Sequence, residues 1–223
     1  MKIGFIGLGK LGQDAASVLA EKHEVTGYDI NTKLLNELNP DYNVKIDSLD
    51  NTCKNKDVVL IAVQTPHDPK YGGETPTSHL EPKDFDYTHL IQAVKDVDDR
   101  VDEGTLIAVI STVLPGTVRR EVLPLVKRGR FIYNPYLIAQ GTVKWDMRNP
   151  EMIMIGTSTG KEDEQSQMLR DLYDPILEKN TRYEIGTWEE IEAVKVFYNT
   201  FITAKLCLVN MIQDVAMKVG NIN

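Results

Sequence analysis

Cysteine and histidine are scarce in this sequence of 223 residues, with two of the first and four of the second. Cys53 and Cys207 lie far apart, form no CxxC and make no metal-spaced pair with a histidine. They read as structural thiols in a reducing cytoplasm. Positive charge is also in deficit: 25 Lys and Arg stand against 33 Asp and Glu, for a net charge of −8, and the longest basic cluster is KRGR at 127–130. Such a surface repels polyanions, so nucleic acid is excluded as an expected partner. The start of the chain has no basic n-region, long apolar h-region or small-residue cleavage site, a pattern that predicts no export. What remains, 42% hydrophobic and 26% charged, is the composition of a soluble globular protein with one large domain and an appendage.

Short apolar runs alternate with helical periods. KIGFI (2–6) breaks at Gly7, and Leu11, Ala15, Val18 and Leu19 follow at helical spacing over 10–22. EVTGYD (24–29), DVVLIAV (57–63) and TLIAVIS (105–111) read as further strands, with helices over 31–38 and 86–99 between them. Continuous apolar strands are the mark of a parallel sheet covered on both faces. The fold class is therefore α/β, a doubly wound Rossmann-like parallel sheet. RFIYN (130–134), MIMIG (152–156), a helix near 161–178 and RYEIG (182–186) follow, then a long helix over 187–219. Two regions are expected, a domain over 1–186 and a long helical region over 187–223. The Pro-, Gly- and Thr-rich stretch 64–84 has no period and reads as a long loop; its His67 and His79 lack ligand spacing, and no metal is expected.

GLGKLG (7–12) follows a strand and opens a helix, and an acidic residue, Asp29, ends the next strand. That context turns a weak string into a dinucleotide-binding pattern. Gly7 permits the tight turn, Gly9 lets the backbone approach a pyrophosphate, and Gly12 lets the helix pack on the strand, with Lys10 and Leu11 between them. The Asp29 carboxylate suits ribose hydroxyls and repels a 2′-phosphate. NAD is the expected cofactor.

STVLPGT (111–117) resembles the STVPPGT segment of the UDP-glucose/GDP-mannose dehydrogenase family. VQTP (63–66), NPYLIAQG (134–141), NPEMIMIG (149–156) and VKVFYNTFITAKLCLVN (194–210) resemble further motifs of that family in the same order. The resemblance implies that Val63, Gln64, Thr65, Ser111 and Thr112 line the nicotinamide and pyrophosphate path. It also implies that Tyr136, Leu137, Gln140, Lys195 and Asn199 meet a nucleotide sugar such as UDP-glucose, with Lys195 and Asn199 at the reacting carbon. Four apart on one helix, those two share a face, and a cation with an amide can stabilise a developing oxyanion in a water-poor cleft.

The sequence departs from the family at several of these positions. Tyr136 and Gln140 stand where the family has glutamates, Met211 where it has another, and the family's nucleophilic cysteine belongs to a segment beyond these residues. Cys207 is twelve residues past Lys195, about 18 Å along one helix and about 120° around it, and Cys53 is expected at the N-terminal edge of its strand, away from a ligand. The isolated chain is thus expected not to convert UDP-glucose to UDP-glucuronate.

Three readings stay open: an incomplete nucleotide-sugar 6-dehydrogenase, a catalytically silent NAD-binding module, and a β-hydroxyacid dehydrogenase relative using Lys195 and Asn199. From Ala193 to Ile212 apolar residues occupy nearly every face of the last helix. Lys195, Lys205, Asn199 and Asn210 make membrane insertion costly, so cover by a second copy, a homodimer through 187–219, is expected.

The cofactor reading carries its own test. Isothermal titration should show NAD binding in the micromolar to millimolar range with NADP weaker, and Asp29→Ala should erase that preference. Equal affinities in the wild type would remove the assignment.

Overall fold

A computed structural model describes residues 1–38, 42–220 and 222; Asn221 and Asn223, at the end of the expected helical region, lie outside the described residues. Strands β1 (Lys2–Ile6), β2 (Glu24–Tyr28), β3 (Lys45–Ile46), β4 (Val58–Ile61), β5 (Leu106–Val109), β6 (Arg130–Tyr133), β7 (Met152–Thr157) and β8 (Arg182–Thr187) form one sheet in the order β3-β2-β1-β4-β5-β6-β7-β8. The first six are mutually parallel. The doubly wound parallel sheet expected from the sequence is present, with one departure at β7, which meets β6 antiparallel through the pair Tyr133↔Gly156, while β8 runs parallel to β7. The link from β6 to β7 contains only one short helix, α5 (Val143–Arg148). Antiparallel neighbours do not need the long crossover that a parallel pair demands.

Why the central strands are apolar throughout is visible in how their side chains divide. Val58 and Leu60 enter one core layer, Val59 and Ile61 the other, and Leu106 and Ala108 alternate in the same way with Ile107 and Val109. Successive strand residues point to opposite faces, and helices cover both. Helices α1 (Gly12–Leu19), α5 and α6 (Glu164–Tyr173) supply the first layer. The second takes Cys53 of α3 (Leu49–Cys53), Leu90, Val94 and Val97 of α4 (Thr88–Asp98), and Trp188 and Ile191 of α7 (Trp188–Val219). The short α2 (Thr32–Asn36) is capped by Asn31, whose side chain accepts from the Lys33 and Leu34 amides.

Several expected elements shorten, because apolar periodicity does not mark where hydrogen bonding stops. The helix expected over 10–22 is Gly12–Leu19, and that expected over 161–178 is Glu164–Tyr173 followed by a 3-10 turn at Asp174–Ile176. β3, α3 and α5 carry too few residues to show a period. The 64–84 loop is braced internally by an Asp68–Lys83 ion pair of 2.6 Å and a Tyr71 hydroxyl bond to the Glu81 carbonyl.

Helix α7 starts at a capping box, in which the Thr187 side chain accepts from the Glu190 amide and the Glu190 carboxylate from the Thr187 amide. Its first two turns pack on the sheet, burying Trp188, Ile191, Glu192 and Lys195. Beyond them the helix leaves the domain: Phe197 and Phe201 are each 66% exposed, and Leu206, Leu208, Met211 and Ile212 are exposed as well. Cys207, read from sequence as structural, is among the exposed residues.

Candidate functional site

The chain runs from β1 outward through β2 and β3, then returns to β4 on the other side of β1. The direction of winding therefore reverses between β1 and β4, and in such sheets a ligand crevice opens at the carboxyl ends of the strands flanking that point. The residues expected to hold a dinucleotide come together there. Gly7 to Gly12 follow β1, Asp29 follows β2, Val63 to Thr65 follow β4, and Ser111 and Thr112 follow β5.

Sterics explain the glycines at the first turn. Gly7 has φ +96°, and a Cβ there would stand 2.4 Å from the Ala62 carbonyl oxygen; one on Gly12 would stand 2.0 Å from the Gly7 carbonyl oxygen. A side chain at Gly7 would push the turn off the end of β4, and one at Gly12 would push α1 off the turn. A Cβ at Gly9 would meet nothing within 4 Å. Its missing side chain leaves open space at the crevice, which fits a pyrophosphate drawn against the backbone. Lys10 and Leu11 are exposed beside it.

Asp29 is already engaged. One carboxylate oxygen accepts from the Leu8 amide at 2.7 Å and the other from the Asn31 amide at 2.8 Å. These bonds aim the group, and each oxygen retains a lone pair for a ribose hydroxyl. Similarly, the hydroxyls of the next two loops are used in tying the loops together. Ser111 Oγ donates to the Val63 carbonyl at 2.6 Å, and Thr65 Oγ1 to the Thr112 carbonyl at 2.7 Å. Gln64 stays exposed.

Lys195 and Asn199 part company in environment. The Lys195 side chain is buried, 8% exposed, and its Nζ donates to the Tyr136 carbonyl at 2.7 Å. Burial, with no carboxylate partner among the described residues, pulls its ammonium pKa down to about 8. Asn199 is exposed and lines an open groove of about 430 Å³ together with Thr112, Phe85, Val196, Thr200, Thr203 and Ala204. The groove joins the cofactor edge of the sheet to the face of α7.

The expected substrate residues are only partly gathered. Tyr136 gives Lys195 a main-chain oxygen, while its ring packs at 6.2 Å edge-to-face on Tyr173 and its hydroxyl lies 2.9 Å from the Tyr173 hydroxyl, which also bonds Asn134. Burial raises the pKa of both phenols. Leu137 packs against the second core layer, and Gln140 is exposed on the loop. Cys53 is fully buried in α3, where burial pushes its thiol up to about 12; a thiol so held is inert.

Glu192 escaped the sequence reading. It is fully buried, and its carboxylate accepts from the Gly116 amide at 2.5 Å and the Val118 amide at 2.6 Å. The available signal was an acidic residue one turn before Lys195 in an otherwise apolar face.

A doubly wound sheet with a glycine turn, an acidic second strand end and an open crevice at the reversal of winding defines an NAD-binding domain. The chain belongs to the UDP-glucose/GDP-mannose dehydrogenase family, whose NAD-binding domain matches residues 40–177; the NAD-binding domain of 6-phosphogluconate dehydrogenase also matches residues 2–72. A UDP-glucose 6-dehydrogenase of Rickettsia typhi is 26% identical over 244 residues, covering 99% of this chain and 53% of the relative. Among solved structures, a GDP-mannose dehydrogenase from Pseudomonas aeruginosa superposes with TM-score 0.82 at 23% identity, over 99% of this chain and 54% of that one. A UDP-glucose dehydrogenase from Pyrobaculum islandicum does so with TM-score 0.78 at 23% identity, over 98% and 54%. The chain spans about half the length of these relatives.

The lowered lysine predicts a pH signature. Because the folded pKa of Lys195, about 8, lies below its ordinary 10.5, the unfolded chain binds the extra proton more tightly. The resulting penalty is fully present below pH 8 and is relieved as pH rises toward 10.5, by an amount on the order of 3 kcal/mol. Denaturant melts of Lys195→Met should show the variant gaining on the wild type at neutral pH, with the gap shrinking across that window; a constant gap would refute the buried, unpaired ammonium.

Proposed function

We propose that these residues form the NAD-binding portion of a nucleotide-sugar 6-dehydrogenase, which oxidises a sugar primary alcohol. One observation carries the reading: a buried lysine of lowered pKa stands one turn from an asparagine that shares a groove with Thr112 at the cofactor edge. Residues 1–186 serve as the cofactor domain and 187–223 as a region that presents the reacting face and pairs the subunits. Bound NAD would supply the hydride acceptor. Gly7, Gly9, Lys10, Leu11, Gly12 and Asp29 hold its ADP half, and Val63, Gln64, Thr65, Ser111 and Thr112 border the rest.

Lys195, uncharged for part of the time near neutral pH, takes the alcohol proton, a role suited to an amine with a pKa near the working pH. Asn199 then orients the oxygen, and the Tyr136 carbonyl fixes the position of the amine. Leu137 and Gln140 border the sugar. The cytoplasm is the proposed compartment.

A second reading, a catalytically silent NAD-binding module, is favoured by Tyr136 and Gln140. The phenol at 136 is turned into the core and the amide at 140 has no acid-base capacity, so neither offers the carboxylate of the family motif. A β-hydroxyacid dehydrogenase relative, the third reading, draws on the 6-phosphogluconate dehydrogenase match at 2–72, and the order of motifs disfavours it.

NADH formation and equilibrium binding should be followed with UDP-glucose and with GDP-mannose. The expected result is nucleotide-sugar binding weakened by Asn199→Ala, with at most a slow first oxidation that Lys195→Ala removes. No binding and no NADH would favour the silent module; sustained production of two NADH per sugar would overturn the expected inability of these residues to finish the reaction.

The exposed apolar length of α7 requires cover. By length and composition this helix is long and apolar enough to cross a membrane, but Lys205, Asn199 and Asn210 would then lie in hydrocarbon, unlike at a subunit interface where they can find partners. A second copy is the proposed cover. Sedimentation at tens of micromolar should report a dimer, and a soluble monomer there would count decisively against it.

A further inference from the structure

A buried carboxylate is costly unless its oxygens are satisfied. Glu192 makes no ion pair among the described residues, and what satisfies it is main chain: the amides of Gly116 and Val118. Gly116 lies at the far end of the segment that begins at the cofactor edge with Ser111 and Thr112, and Val118 follows that segment directly. Within that segment Leu114 to Thr117 form a turn, closed by the Thr117 amide on the Leu114 carbonyl at 3.1 Å, with Pro at its second position and Gly116 at φ +88°. The turn leaves the Gly116 amide, and the Val118 amide just beyond it, to be met by Glu192.

Beside a bond from the Tyr133 hydroxyl to the Ser111 carbonyl at 3.3 Å, the segment is held at three places. Its near end is tied to the 63–65 loop through Ser111 and Thr65. From the α4 side, the Tyr87 hydroxyl accepts from the Leu114 amide at 3.1 Å and bonds Thr117 Oγ1 at 3.2 Å. The third anchor is Glu192, the one that reaches across to α7. Lys195 follows it by three residues and Asn199 by seven, which places all three along one stripe of the helix.

We propose that Glu192 is a positioning residue whose carboxylate sets the separation between the cofactor-side segment 111–117 and the stripe of α7 that carries Lys195 and Asn199. The requirement for a carboxylate is chemical: both partners are donors, and an ionised carboxylate is acceptor-only. Glutamine at 192 would offer one acceptor and turn an N–H toward the second amide. Alanine would leave both amides unpaired, and aspartate would fall a methylene short.

This inference rests on the reading of Ser111 and Thr112 as cofactor-lining residues, and the experiment separates the two. NAD and ADP-ribose, which lacks the nicotinamide, should be titrated into the wild type, Glu192→Gln, Glu192→Ala and Tyr87→Phe. Glu192→Gln should weaken NAD about tenfold, equal to about 1.4 kcal/mol, with ADP-ribose changed less than about twofold. Glu192→Ala should lose more, and Tyr87→Phe, which loosens the same segment from the other side, should show the same selectivity.

Equal weakening of both ligands, or an unchanged NAD affinity, would overturn the proposal. Should the wild type bind neither ligand, the cofactor reading fails on its own and the amide spectrum of the chain still decides. Glu192→Gln must move the Thr112 and Asn199 resonances together with those of Gly116 and Val118, and a change confined to the last two overturns the positioning role.

Discussion

Parallel pairing of β1 with β2 on one side and β4 on the other is the constraint from which the rest of the molecule follows. Parallel strands must all end at the same edge, so every loop that leaves β1, β2, β4 and β5 emerges there. The sheet is buried on both faces, and its central strands are consequently apolar at every position. Polar chemistry is pushed to the loops at the carboxyl edge. The close seat of α1 follows as well, since Gly12 lets that helix approach the Gly7 carbonyl with no side chain between them.

A second layer of organisation comes from side chains that bond the backbone of neighbouring loops. Ser111, Thr65, Tyr87 and Glu192 each spend their polar atoms on a main-chain partner from another element. Such bonds cost little when made and leave a costly orphan when broken. They tie the 63–65 loop, the start of α4, the 111–117 segment and α7 together beside the groove that Thr112 and Asn199 share. Lys195 is held in the same manner by the Tyr136 carbonyl, and its burial keeps its proton easy to lose.

The outer part of α7 follows different rules. Its first two turns are fastened to the domain by Trp188, Ile191, Glu192 and Lys195, after which large apolar side chains face outward in every direction. A helix apolar all round needs neighbours on all sides, and this domain supplies them along only one end. The site and the exposed length lie on one continuous helix, so whatever covers the exposed length also bears on how Lys195 and Asn199 are presented.

What the sequence by itself determined was whatever depends on local pattern: the alternation of strand and helix, the glycine turn at 7–12, the acidic end of the second strand, and the i, i+4 spacing of Lys195 and Asn199. Each is a statement about neighbours within a few residues, and the period of the chain transmits it. Tertiary structure alone decided that β7 would run antiparallel, because a single pair at Tyr133↔Gly156 has no periodic trace. It decided that Lys195 is buried while Asn199 is exposed, since the helix departs from the sheet between them. It turned the Tyr136 phenol inward, because the hydroxyl of Tyr173 waits there. And it brought Glu192 to Gly116 and Val118 across more than seventy residues of chain, a contact between a side chain and bare backbone amides, which every residue but proline possesses and no pattern of residue types can announce.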